Sequence, residues 1–116
     1  MTQAGLDKLC ALWQKRLRLE DWRVSVKLVR KYELPDAHAE ALPHRRTKVA
    51  KIKIVDPRDR DPEWADETEL EWSLVHELMH LYCPDYSPGD DEDVEFETML
   101  NLVSQALVVA YRQEKA

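Results

Sequence analysis

The chain has 116 residues, a net charge of -6 at pH 7 and a hydrophobic fraction of 44%, with four tryptophans. This length supports a single hydrophobic core, so we expect one folded domain over residues 1–116. An acidic surface repels a phosphate backbone, and no apolar run is long enough to cross a bilayer. These totals argue against general nucleic-acid binding and against a membrane protein.

The cysteines and the start of the chain bear on the cellular compartment. Cys10 and Cys83 have no spacing typical of a disulfide framework, and Met1 leads directly into polar residues rather than a signal peptide. We therefore expect the reducing environment of the cytoplasm.

The first predicted elements are a helix and a strand. Apolar residues from Leu6 to Leu17 recur at helical spacing, which predicts an amphipathic helix over residues 3–19. From Trp22 to Leu28, apolar and polar residues alternate, which predicts a half-buried strand. Residues 31–46 contain two prolines and fit either a loop or a short strand in HAEAL.

A second strand is predicted over residues 47–55. Ala50, Ile52 and Ile54 would face one side, and Lys51 and Lys53 the other. Lysines on an outer face are typical of an edge strand that is protected from unwanted pairing. We therefore predict that this strand forms the edge of a small sheet.

Two further helices complete an α+β domain. Thr68 and Glu71 have the spacing of a capping box, which predicts a helix from Thr68 to the proline at position 84. A last helix is predicted to begin near Asp91, where acidic residues would favour its positive end. The predicted order is an N-terminal helix, a small sheet with an edge strand, an apolar helix and a C-terminal helix.

The apolar helix contains the pattern that indicates chemistry, SLVHELMHLY. His76 and His80 lie one turn apart, so both rings share one face of the helix. Two neutral imidazoles in this arrangement can hold zinc, which takes nitrogen ligands at about 2.0–2.1 Å. Glu77 lies about 100° around the helix from His76, where it would act as a base rather than a ligand. The alternative is that both histidines only pack in the core, but the complete H-E-x-x-H pattern favours a metal.

This stretch resembles the zinc helix of the zincin metallopeptidases. Metzincins carry a downstream glycine and a third histidine, whereas this chain has Cys83 and Tyr86 at those positions and no histidine after His80. Gluzincins take a glutamate from the next helix, usually in E-x-x-x-D. The stretch ETMLN, from Glu97 to Asn101, has that form with Asn in place of Asp. The chain is most similar to the minigluzincins and to short metallopeptidase-like proteins of prokaryotes and their phages.

The third zinc ligand has competing candidates. Glu95 and Glu97 would point about 200° apart on a helix, so only one of them can face the metal. The spacing to Asn101 favours Glu97. Cys83 could reach a metal, but it is better explained as a buried thiol.

The resemblance implies a zinc metalloendopeptidase that hydrolyses peptide bonds with a zinc-activated water and Glu77 as the general base. Asn101 would orient a histidine, and the edge strand 47–55 would bind an extended peptide or protein substrate by strand addition. We expect a monomer. The sequence does not choose among the possible donors to the oxyanion, which are Tyr82, Tyr86, Tyr111, His38 and His44.

Two other functions fit the sequence less well. One is a catalytically silent zincin-like module that keeps zinc for structure and acts through protein contacts. The other is association with nucleic acid through a basic stretch that comprises Arg45, Arg46, Lys48, Lys51 and Lys53.

Overall fold

The structure, a computed structural model, describes residues 1–82 and 91–115 of the chain. It confirms the α+β class, with three α-helices and a three-stranded mixed sheet. In chain order, the elements are α1 (Gln3–Arg16), β1 (Arg23–Val29), β2 (Ala39–His44), β3 (Val49–Val55), α2 (Glu67–Met79) and α3 (Asp91–Lys115). No helix in the described part of the chain is both long and apolar enough to cross a membrane.

The order of the strands corrects the sequence prediction. The sheet has the order β1-β3-β2, in which β3 is parallel to β1 and antiparallel to β2. The strand predicted over residues 47–55 is therefore central, and its assignment as the edge strand was wrong. Its lysines face outward because the helices cover only one face of the sheet, whereas the edge position is taken by β2.

Strand β2 is the edge that faces α2 and α3. The Val55 N–H donates to the His38 carbonyl at 2.8 Å, which fixes the alternation of the antiparallel ladder. The backbone groups of Ala39, Ala41 and Pro43 therefore point away from β3. Proline is tolerated at position 43 because the N–H that it lacks would have pointed outward.

The opposite edge of the sheet is partly covered. The Gln3 side chain on α1 donates from Nε2 to the Val26 carbonyl at 2.8 Å and accepts from the Leu28 N–H at 3.0 Å. It thus occupies the hydrogen-bonding groups of β1 as a neighbouring strand would. Within the part of the chain that the structure describes, an incoming strand therefore finds unpaired outward backbone groups at Ala39 and Ala41 of β2 rather than on this stretch of β1.

Helix α2 crosses the core, and its boundaries differ from the prediction. Its N-cap is Asp66, which accepts from the Glu69 N–H, and not Thr68. The predicted capping-box partner Glu71 is buried and used elsewhere. The α-helix ends at Met79 and a 3-10 turn follows over His80–Tyr82, while Cys83 lies outside the described residues.

The first and last helices follow the sequence more closely. Helix α1 ends three residues earlier than predicted, since Leu17 caps it and Arg18 adopts a positive φ of 58°. Helix α3 begins at Asp91, as predicted. It buries Leu100, Ser104 and Val108.

Candidate metal centre

The two histidines of the H-E-x-x-H pattern lie side by side near the end of α2. His76 belongs to the last full turn of the helix, and His80 is the first residue of the 3-10 turn. Their ring centroids are 5.1 Å apart, and only 12% and 13% of the two side chains is exposed. Helical spacing therefore brings both imidazoles to one sheltered position.

Glu97 of α3 completes this group. One carboxylate oxygen lies 2.7 Å from Nε2 of His76 and the other lies 3.0 Å from Nε2 of His80. Glu95, the competing candidate, is exposed and makes no such contact. The structure thus places Glu97, and not Glu95, against both histidines.

The donor atoms fit a zinc ion. Two imidazole nitrogens and a carboxylate are a usual set of zinc ligands, and here both Nε2 atoms converge on the same carboxylate. Burial, the largest effect, lowers the pKa of His80 and so favours the neutral imidazole that a metal requires. Nδ1 of His76 is buried and has no hydrogen-bond partner within the described residues, which leaves that ring held from one side only.

Glu77 lies beside the two histidines, but its carboxylate is farther from their rings than that of Glu97. Its Oε1 is 4.0 Å from Nε2 of His76, and it forms no hydrogen bond within residues 1–82 and 91–115. The donor atoms of His76, Glu77 and His80 all lie within 4.8 Å of one another, but the oxygens of Glu97 are nearer to the rings. Of the two carboxylates, Glu97 is therefore the nearer to both rings.

The environment of Glu77 suits proton transfer. The residue is only 7% exposed, and burial raises its pKa to about 8, with smaller contributions from the charges of Glu97 and Glu40. A carboxylate with a pKa near neutral can both take up and release a proton under ordinary conditions.

A groove runs past this group between the β2 edge and α3. Two cavities of about 400 and 340 Å³ adjoin it, and both are lined by Ala39, Glu77 and Glu97. The larger continues towards Arg60 and Trp72, and the smaller follows β2. Among residues 1–82 and 91–115, the two histidines and Glu97 therefore adjoin a cavity on two sides, with the outer edge of β2 alongside.

Arg45 supports the end of the helix that carries His80. Its guanidinium donates to the carbonyls of His80 and Leu81 at 3.1 and 3.0 Å. A cation at this position also interacts favourably with the negative end of the helix. From the sequence, Arg45 is expected only as a basic surface residue, because no local pattern connects it with a helix end 35 residues later.

Several residues predicted for the site lie elsewhere. Asn101 lines the larger cavity but does not bond Nδ1 of His76, so the predicted orienting contact with that ring is absent. Of the oxyanion candidates that the structure describes, His38 alone lines either cavity. Partial burial, followed by the charge of Arg60, lowers the pKa of His38.

The other oxyanion candidates that the structure describes lie outside both cavities. Tyr82 is 56% exposed, His44 is exposed on the sheet and Tyr111 packs edge-on against Trp13 with a centroid distance of 5.4 Å. Tyr86 lies outside the described residues.

Comparison of the chain with protein-family models, curated proteins and solved structures gave no match.

Proposed function

We propose that the protein is a zinc-dependent peptidase of the gluzincin type. The observation that carries the proposal is the convergence of His76, His80 and Glu97, with an unligated buried carboxylate, Glu77, beside them. The two cavities and the outer edge of β2, which pairs with no other described strand, add a place for an extended substrate.

The three donors would hold the metal. His76 and His80 would bind through Nε2, and Glu97 through its carboxylate. When bound, zinc supplies a Lewis acid that polarises the scissile carbonyl and lowers the pKa of a water to about 7. Arg45 keeps His80 in place by bonding the carbonyls at the helix end.

Glu77 would serve as the general base. It would accept a proton from the attacking water and then deliver it to the amine that leaves. No described residue donates a hydrogen bond to Glu77, so its carboxylate is available for this transfer. His38, which lines the same groove, is the best placed candidate to donate to the developing oxyanion.

The substrate would bind along β2 rather than along β3. An extended peptide can pair with the outward N–H and carbonyl groups of Ala39 and Ala41. At Pro43 only the carbonyl remains available, so pairing weakens towards that end. We propose peptides or unfolded protein segments as substrates of a monomeric enzyme, and a cytoplasmic location in which the buried Cys10 thiol stays reduced.

The test combines metal analysis with digestion of a diverse peptide library. We expect one zinc per chain and chelator-sensitive cleavage by the wild type. Glu77→Gln should keep the zinc and lose activity by about 10²–10⁴-fold, since the amide keeps the shape without the basicity. Glu69→Gln, which alters another carboxylate in the larger cavity, is the matched control and should remain active.

Two results would contradict the proposal. Equal activity of the wild type and Glu77→Gln would exclude Glu77 as the base. A wild type that holds one zinc and cleaves nothing would favour the silent binding module instead.

A further inference from the structure

The face of the sheet opposite the helices is covered only at one end, where Leu34 packs on Val29 and Val55. The rest of it carries a cluster of cations that we call the basic sheet face: Arg23 and Lys27 on β1, and Lys51 and Lys53 on β3. Helices α1 and α2 pack against the opposite face, where Ala50, Ile52 and Ile54 are buried. Arg23, Lys27 and Lys51 are exposed and Lys53 is half-buried. The parallel pairing of β1 and β3 therefore gathers cations from two distant parts of the sequence.

These cations lie close together, with one carboxylate among them on the three strands. Lys27 lies directly beside Lys53 in the register, and Lys51 is two residues further along the same strand. None of the four forms an ion pair within the described residues, and Glu40, opposite Lys53, is the one carboxylate on this face of β1, β2 and β3. Adjacent like charges on a sheet destabilise it, so an anionic partner would relieve a repulsion built into the fold.

The charge of this face is opposite to that of the whole chain. The protein carries a net charge of -6, so the remainder of the surface is more acidic still. Such segregation orients an anionic partner towards one side of the molecule.

The chemistry of the face distinguishes among anionic partners. The one exposed large hydrophobic residue on its three strands is Leu42, which pairs in register with Lys51, and the one aromatic ring on these strands' outer face is the imidazole of His44, at the far end of β2. Protein interfaces usually depend on buried aromatic or aliphatic anchors, and single-stranded nucleic acids are bound by aromatic stacking. Lys51 and Lys53 are about 7 Å apart along β3 with Lys27 beside them, and a single leucine and a single imidazole flank them; this arrangement instead suits a line of phosphates.

We propose that the basic sheet face binds the phosphate backbone of a nucleic-acid duplex without reading its sequence. The residues of this face differ from the basic stretch that the sequence suggested for nucleic-acid binding. Lys48 forms an ion pair with Asp21, and Arg45 is bonded to the end of the metal-bearing helix. Arg23 and Lys27 were missed because only the sheet register brings them beside Lys51 and Lys53.

The experiment measures the binding of the purified full chain to a fluorescent DNA duplex by anisotropy, over a series of salt concentrations starting at about 50 mM. For about four phosphate contacts, the logarithm of the association constant should fall against the logarithm of salt with a slope of roughly -3 to -4. Lys27→Glu combined with Lys51→Glu should weaken binding at least tenfold at the lowest salt and flatten the slope.

The matched control reverses the same number of charges on α1, with Lys8→Glu and Lys15→Glu. Both lysines are exposed on a helix that packs on the other side of the sheet. The control should bind within about twofold of the wild type, because a contact effect depends on position whereas a net-charge effect does not.

Three outcomes would overturn the proposal. The first is no binding by the wild type at the lowest salt, and the second is equal weakening in the control pair. The third is tighter binding of a poly-glutamate peptide of matched charge, which would assign the face to an acidic protein. Circular dichroism of all variants checks that each one is folded.

Discussion

Helix α2 carries two buried glutamates that have opposite surroundings. Glu71 is 2% exposed and fully engaged: it accepts from Trp13 Nε1 at 2.6 Å and from Arg112 Nε at 2.8 Å. Glu77 is 7% exposed and accepts no hydrogen bond from any described residue. One carboxylate connects three helices, whereas the other faces a groove.

The two glutamates differ in whether hydrogen bonds compensate the burial of the carboxylate. A buried charge is tolerated when hydrogen bonds compensate its loss of water, as they do at Glu71. At Glu77 that compensation is missing and the pKa rises to about 8, chiefly through burial. An uncompensated acid beside two histidines has a better explanation in chemistry than in stability.

The largest expected effect is the loss of zinc affinity when a histidine at the C-terminal end of α2 is removed. His80→Ala should weaken zinc binding at least 100-fold, since it removes one of the three proposed donors. The measurement is competition with a chelator of known affinity. His44→Ala, which removes an exposed histidine on the sheet, should leave the affinity unchanged. Retention of a full equivalent of tightly bound zinc by His80→Ala would refute the site.

The comparison of the glutamates predicts opposite effects on stability. Glu71→Gln should lower the free energy of unfolding by about 2 kcal/mol, because hydrogen bonds to a charged group are worth about 1.5–3 kcal/mol. Glu77→Gln should leave it unchanged or raise it, because no hydrogen bond to a described residue is lost. Urea unfolding of the metal-free proteins gives both values. Equal destabilisation by the two substitutions would contradict this distinction.

The third donor gives a smaller but more selective effect. Glu97→Ala should weaken zinc binding at least tenfold, whereas Glu95→Ala should change it less than twofold, as expected for an exposed residue. Chelator competition again provides the measurement. The reverse order of the two variants would transfer the ligand role to Glu95.

The smallest effect concerns a carboxylate whose partner lies at the surface. Asp59 accepts from Arg30 at 2.7 and 3.0 Å, and this bonding, with that from the Lys31 N–H, lowers its pKa to about 2. Because the folded-state pKa lies below the ordinary value of 3.8, the pair stabilises the fold above about pH 4. That contribution is lost as the pH falls towards 2. Asp59→Asn should therefore reduce the pH dependence of stability in this window, as measured by thermal unfolding.

The sequence was most informative where the relevant contacts are local. Helical spacing alone placed His76 and His80 together, and alternation identified the buried face of β3. The choice of Glu97 over Glu95 needed an additional argument from Asn101, and in the structure the contacts of Glu97 itself separate the two.

Non-local contacts were the ones that the sequence could not predict. Lysines on β3 suggested an edge strand, but strand order depends on pairing between distant segments, and β2 took the edge. Arg45 reaches the end of α2 across 35 residues, and the basic sheet face exists only because β1 and β3 are parallel. The engagement of Glu71 by Trp13 and Arg112 likewise requires the packing of three helices.

The most direct test of the central claim is the anomalous diffraction of zinc in crystals of the zinc-loaded protein. We predict a single strong peak at about 2.0–2.2 Å from Nε2 of His76, Nε2 of His80 and a carboxylate oxygen of Glu97, with Glu77 outside the ligand sphere. A peak coordinated by Glu77 in place of Glu97, or no peak at these residues, would contradict the account.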